Sequence, residues 1–342
     1  MHILKGYTKQ EISWMMYDWA NSAHSVIIVT LLPIFFDTVA GYTADSVSSM
    51  STWGYATSIA MLIVALAAPF LGVFGDIRGM RKKLFSFFML LGVAACAGMA
   101  FTPGMDFTSG PVAAGKVASL ILVLYIVSVI GFDASAIYYD AFLTDVTTED
   151  RMDKVSTMGY GLGYIGGSTI PLLIFLIMNL VGVPMLTCLA FVFGLTAVWW
   201  LAFSLPLLKN CEQTSGKPYE KGDVARSIKG VGTTIKEIIA NKPMLIYILS
   251  YFFYIDGVHT VISMATTYGT NLGLDSTGMM LALLLVQILG LPFCLLYIKC
   301  SEKFGARTMV GFGICVYMFI CIFAFFMNSL WQFWVLAVLC AT

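Results

Sequence analysis

The chain has 342 residues, of which 59% are apolar, 14% aromatic and only 11% charged. A soluble domain carries about 25% charged residues, so this composition cannot cover a water-facing surface, and it excludes a soluble enzyme, a nucleic-acid binder and a disordered chain. Basic and acidic residues balance at 19 each, so only their placement along the chain is informative.

A membrane-crossing helix needs about 20 mostly apolar residues. Nine segments qualify: 12–36, 53–74, 84–102, 117–144, 156–179, 184–206, 244–265, 277–298 and 309–327. A tenth begins near Leu330 and the sequence stops at Thr342, too soon to cross, so we expect a chain truncated within its tenth helix. The first apolar stretch is long and no small-residue cleavage site follows it, so no cleavable leader is expected. With the N-terminus inside, every basic residue except Lys116 falls in an inside segment or at its edge. That split satisfies the positive-inside rule, sets the N-terminus in the cytoplasm and leaves no Lys or Arg within the membrane.

Span one carries a polar stripe, Asp18, Asn21, Ser22 and Ser25, on one helical face. His24 lies off that face from Asp18. After span two comes a short basic loop with Asp76, Arg78, Gly79, Arg81 and Lys82. Its charges are suited to ion pairs that hold one conformation, a conformational latch, although a plain positive-inside anchor accounts for them too. Span four holds Asp133 and Asp140, seven residues apart and on one face. Asp140 is near enough to the inside end to pair with Arg151. Span five is rich in glycine: Gly159, Gly161, Gly163, Gly166 and Gly167, with Pro171 beyond them. Small residues at this density permit close helix approach or bending. Tyr138, Tyr139, Tyr160 and Tyr164 are candidates to line a cavity or to pack between helices.

The long segment 207–243 divides in two. Residues 211–222 look flexible. Beyond them Val224, Ile228, Val231, Ile235 and Ile238 recur at helical spacing, with Arg226, Lys229 and Lys236 on other faces. This pattern predicts a basic amphipathic helix on the membrane surface. Span seven then repeats span one: Asp256, His259, Thr260 and Ser263 stand at the same offsets as Asp18 and its stripe. The loop after span eight, Glu302 to Arg307, repeats the acid-x-x-Gly-x-Arg order of Asp76 to Arg81. The two copies run the same way through the membrane, so the architecture is all-α with two parallel repeats. The domain boundaries expected are 1–206 for a six-helix half, 207–243 for a linker and 244–342 for an incomplete second half.

The segment GVFGDIRGMRKKL (72–84) resembles the loop signature of the major facilitator superfamily, with Met80 where a first basic residue is usual. YDWANSAHSVII (17–28), the run from Tyr138 to Gly167 and FFYIDGVHTVI (252–262) are similar to the vacuole-effluxer-like permeases within it. The resemblance implies a two-half, twelve-helix transporter working by alternating access, and an association with amino-acid export. Span four lacks the arginine usual in proton-coupled facilitators and span five has Tyr164 where antiporters carry a proline.

Each ionisable group inside a membrane costs roughly 2.5–3.5 kcal/mol. Asp18, Asp133, Asp140 and Asp256 bear that cost without an interior cation, so they protonate, bind a cation or face water. They are the substrate or coupling candidates, with Asn21, Ser22, His259 and Thr260; an Asp–His pair at Asp256 and His259 is able to pass a proton near neutral pH. A structural hydrogen bond to a neighbouring helix is the alternative role for each of these acids. Gly159, Gly163, Gly166 and Gly167 are the packing or bending candidates. The expected activity is secondary transport of a small polar solute, with protons as a candidate coupling ion, in a monomer of the bacterial inner membrane. No cofactor, metal or nucleic-acid partner is expected, and no Walker sequence is present to hydrolyse ATP. A receptor or scaffold on the same fold is the alternative. An intramembrane aspartyl protease fits worse, because Tyr17-Asp18 or Tyr139-Asp140 supplies half of such a site but the Gly-x-Gly-Asp partner is lacking.

Overall fold

The computed structural model describes residues 4, 6–43, 49–216, 218 and 223–341. Among these, the secondary structure is helical throughout, without a strand. Helices α1 (Lys9–Ala40), α2 (Ser49–Gly75), α3 (Arg81–Met99), α4 (Pro111–Val146), α5 (Met152–Leu162), α6 (Thr169–Leu180) and α7 (Met185–Asn210) form one bundle. The amphipathic helix α8 (Asp223–Ala240) leads into α9 (Lys242–Asn271), α10 (Ser276–Phe304), α11 (Ala306–Phe325) and α12 (Leu330–Cys340). Nine of the described helical segments are long and apolar enough to cross a membrane, counting α5 and α6 as one. They coincide with the nine segments expected from hydropathy, with ends longer by a few residues where caps extend them. α12 is an 11-residue apolar helix.

The ends are set locally. Thr8 and Glu11 cap α1 reciprocally: the Glu11 amide donates to Thr8 Oγ1 at 3.1 Å and the Thr8 amide donates to Glu11 Oε2 at 2.7 Å. Asn241 and Asp275 accept from the amides of Met244 and Gly278 to start α9 and α10. At the start of α12 Gln332 Oε1 accepts from the Ser329 amide at 3.1 Å and from its hydroxyl at 2.7 Å.

α1 runs through the middle of the first bundle. Trp14, Met15, Tyr17, Ile27 and Leu31 on it are almost fully buried, packed by α4, α5 and α7. Where α3 crosses α4, Gly131 meets Gly92 backbone to backbone: a Cβ at Gly131 would lie 2.5 Å from the Gly92 nitrogen. The Trp200 ring from α7 fills the space over Gly92. A second, smaller core joins α10, α11 and α12 through Met279, Ile320, Phe333 and Leu336.

At the linker one sequence expectation changes and one holds. Residues 211–216, expected to be flexible, are folded back onto the loop between α2 and α3. That order comes from hydrogen bonds to residues 132 to 138 positions earlier, which no local pattern reveals. α8 forms despite Gly230 and Gly232 and buries Val231, while Ile235 and Ile239 stay exposed. The side chains of Val224, Arg226, Ile228, Lys229 and Glu302, and all of Lys5, Lys217 and Lys221, lie outside the described residues.

Candidate functional site

The polar stripe of α1 is enclosed from two sides. Asp18 is only 6% exposed. Its Oδ2 accepts from the Tyr139 hydroxyl on α4 at 2.7 Å. Tyr139 is itself fixed, with its ring stacked on Trp14 at 4.3 Å between centroids and its carbonyl accepting from Trp14 Nε1 at 2.9 Å. Beside it, Tyr17 shares a hydrogen bond with Ser135 at 2.8 Å. The other wall is span five. A Cβ on Gly159 would overlap the Asp18 carboxylate, and one on Gly163 would lie 2.5 Å from Ser22 Oγ. Gly166 and Gly167 receive the Trp19 ring and backbone in the same way. These four glycines are therefore the surface against which α1 lies. Asn21 is buried in the same contact zone.

Between α5 and α6 the helix widens into a π turn over Gly163–Ser168, and Thr169 Oγ1 donates to the Tyr164 carbonyl at 2.7 Å. Such turns occur often at functional sites. The opposite side of this span meets α10. The Leu291 side chain reaches the hydrogen face of Gly161, and the Tyr164 ring lies on Gly290, where a Cβ would fall 2.6 Å from it.

Of the four tyrosines considered in the sequence, only Tyr160 is largely exposed. Tyr138 donates to the Leu71 carbonyl at 3.0 Å and packs α4 onto α2. Asp140 is exposed, and it interacts electrostatically with Asp18 and with the Tyr160 hydroxyl, which also senses Tyr251 of α9. Asp133, two turns away on the same face of α4, is partly buried near Tyr125. On α9 the repeated stripe is open: Asp256, His259 and Thr260 are exposed. Ser263 turns its hydroxyl back to the His259 carbonyl at 2.7 Å. Farther along, Thr266 is buried and donates to the Val29 carbonyl of α1 at 3.3 Å. α9 thus touches α1 at the end away from the basic loops. Residues 241–253, at the basic end, are exposed at every position but Leu245. His24 is buried between the rings of Phe132 and Trp200, within the first bundle.

The ion pairs of the described residues are all at the basic end, and none involves the four span acids. Arg81, 4% exposed, pairs with Asp145 on α4 and donates to the Ala141 carbonyl at 3.0 Å. Asp76, expected as the acid of this latch, is exposed and 3.9 Å from Arg81. Arg78 is exposed, and Lys82 donates to the Cys211 carbonyl at 3.1 Å. Gly79 adopts φ +82°, which the turn into α3 requires. Arg151 does not reach Asp140. It grips Glu11 with Nε and Nη2, each at 2.9 Å, while Thr147 donates to the same carboxylate at 2.7 Å. Sequence reasoning missed Asp145 and Glu11, because both pairings span more than 60 residues and the acid nearest in sequence looked sufficient.

A model of the family described as vacuole effluxer Atg22 like matches residues 7–342. The chain belongs to this family. It is 40% identical over 348 residues to the uncharacterized MFS-type transporter YxiO of Bacillus subtilis, an alignment covering 99% of this chain and 78% of that protein. It is 24% identical over 177 residues to autophagy-related protein 22-1 of Penicillium rubens, covering 48% of this chain and 30% of the fungal one. Among solved structures, the partially occluded inward open conformation of the xylose transporter XylE from E. coli superposes with a TM-score of 0.57 at 14% identity, covering 97% of this chain and 83% of that one. A crystal structure of a D-xylose-proton symporter gives 0.56 at 14% identity, covering 97% and 79%. The fold is that of the major facilitators, and the protein is a multi-pass integral membrane transporter of that type.

Proposed function

We propose that this transporter moves a small polar solute bearing an amino group, an amino acid or a close analogue, across a bacterial plasma membrane. The observation that carries this reading is a pair of acids without basic partners among the described residues: Asp140 on α4 and Asp256 on α9 are exposed near the meeting of the first bundle with the later helices, with Tyr160 and His259 beside them. An ammonium group supplies the cation that such a site lacks, and the absence of Lys or Arg from the spans disfavours a multiply anionic solute. The resemblance to the vacuole-effluxer-like permeases, whose family model matches residues 7–342, points to the same class.

In this reading Asp140, Asp256, His259 and Thr260 face the solute. Asp18 is the proton-carrying group, since its only hydrogen-bonding partner among the described contacts is the neutral Tyr139 hydroxyl. The basic loops and the N-terminus face the cytoplasm. The state described is inward-facing: α1 and α9 meet at the outer end and part at the cytoplasmic end. The chain works as a monomer, with residues 1–206 and 244–342 rocking about span five and α10 and with 207–243 linking them.

The test is thermal unfolding of the purified protein against leucine, lysine, glutamate, a dipeptide, xylose and spermidine, at pH 5.5 and 7.5. A ligand at 100 times its Kd stabilises by about 2.7 kcal/mol. We expect a shift confined to amine-bearing ligands and lost in both Asp140→Asn and Asp256→Asn. A shift with xylose alone, or one that survives both substitutions, overturns the reading.

A further inference from the structure

The first six residues after α7 take up a role that the sequence does not announce. Gln213 reads the backbone of the loop between α2 and α3 at three points. Its Oε1 accepts from the amides of Gly79 at 2.8 Å and Arg81 at 3.2 Å, and its Nε2 donates to the Gly75 carbonyl at 2.9 Å. Thr214 and Ser215 then surround one oxygen of Asp145. The Thr214 amide and hydroxyl donate to it at 3.0 and 2.8 Å, and the Ser215 amide and hydroxyl each do so at 2.8 Å. Arg81 pairs with the other oxygen of Asp145 and donates to Ser215 Oγ at 3.2 Å. Gly216 closes the segment at φ +113°, where a Cβ would lie 2.6 Å from the Asp76 carbonyl oxygen. Only glycine fits there, for both reasons.

These contacts occupy part of the loop. The Gly79 and Arg81 amides and one Asp145 oxygen are engaged by the linker, and Arg81 Nη1 is shared between Asp145, the Ala141 carbonyl and Ser215, so a group from α9 to α12 that is to bond those two amides must displace it. The same linker continues into α8, which packs against both α2 and α9. The peptide that covers the loop is thus attached to the helix that stands apart at the basic end.

We propose that residues 211–216 are a clasp on the signature loop and that Gln213 is a positioning residue of the transport cycle. The clasp is closed in the state described, in which residues 241–253 of α9 are uncovered, and it opens when α9 closes onto the first bundle at that end. This inference rests on the alternating-access reading above, but not on the identity of the solute.

Hydrogen exchange on the intact protein in lipid nanodiscs tests it, because one measurement reads both the loop and α9. In Gln213→Ala we expect the amides of residues 75–82 to exchange about tenfold faster and residues 242–256 to exchange more slowly, as the population moves toward closure. Thr214→Ala combined with Ser215→Ala removes two hydroxyl donors, keeps both amides and shifts both regions the same way by less; it serves if the first variant fails to fold. Glu212→Ala, an exposed neighbour, changes neither region. Faster exchange in the loop with residues 242–256 unchanged makes the segment a structural clip and overturns the proposal. Unchanged loop exchange overturns it as well. If the coupled change occurs while the ligand panel is flat, the clasp stands and the amine-transport reading falls.

Discussion

Asp18 and Asp256 open the same four-residue polar pattern on two helices of one repeat, yet their surroundings are opposite. Asp18 is held by Tyr139 and walled by Gly159; Asp256 stands in the open, and Gly257, His259 and Thr260 after it are exposed too. The difference does not arise from the stripes, which match residue for residue in their offsets. It arises from what faces them. α1 is met by four glycines of span five, which let its backbone and carboxylate approach until no water fits between. Among the described residues no comparable glycine face meets α9: Gly257 has open space around it, and α9 bonds to α1 near Thr266. A repeated motif therefore specifies a helix face, while its environment is specified by partners elsewhere in the chain.

The sharpest way to break this comparison is to add one carbon on each side. Gly131→Ala, at the backbone contact of α3 with α4, should cost about 3 kcal/mol by overpacking, read as a fall in thermal midpoint in detergent. Gly257→Ala should leave stability within about 0.5 kcal/mol. Equal effects would mean that the first bundle is no more tightly packed than α9.

Next in size is the Asp18 pocket itself. Tyr139→Phe removes the one hydroxyl that satisfies a buried carboxylate oxygen, and a stranded buried acceptor costs about 1–3 kcal/mol. Asp256→Asn should leave the thermal midpoint unmoved while abolishing the ligand-induced shift. A large loss of stability in Asp256→Asn would place that acid in a structural role.

Smaller still is the Glu11–Arg151 clamp. Its carboxylate is buried, but the arginine side chain is 34% exposed, so water screens the pair. Arg151→Ala should lower the thermal midpoint by less than Tyr139→Phe does, and raising salt should weaken the wild-type clamp only slightly. A loss as large as that of Gly131→Ala would show that the basic end carries as much stability as the core.

The spans, the signature loop, the glycine run and the repeat were all legible in the sequence, because each depends on local composition or a fixed offset. What the sequence did not show depended on distance. Asp76, five residues from Arg81, stays within 3.9 Å of it at an exposed position, but the buried partner is Asp145, 64 residues away. Gln213 and the two hydroxyl residues after it looked like a flexible linker, since polar residues next to a glycine carry the same pattern whether or not a distant loop waits to receive them. The burial of Asp18 was hidden for a related reason: glycine spacing shows that something approaches closely, but not which helix.

The π turn at Gly163–Ser168 sets the phase of the whole of span five. Before it, Gly159 looks toward α1 and Gly161 toward α10; within it, Gly163, Gly166 and Gly167 keep to α1 while Tyr164 turns to Gly290. An α-helix advances about 100° per residue. Deleting one residue from the turn would swing all of α6 by that angle, carrying Leu172 and Phe175 out of the core without changing a single side chain in either helix. Insertions and deletions in these six positions are therefore far more damaging than substitutions of similar size, and the length of this segment is as much a part of the protein's specification as any residue in it.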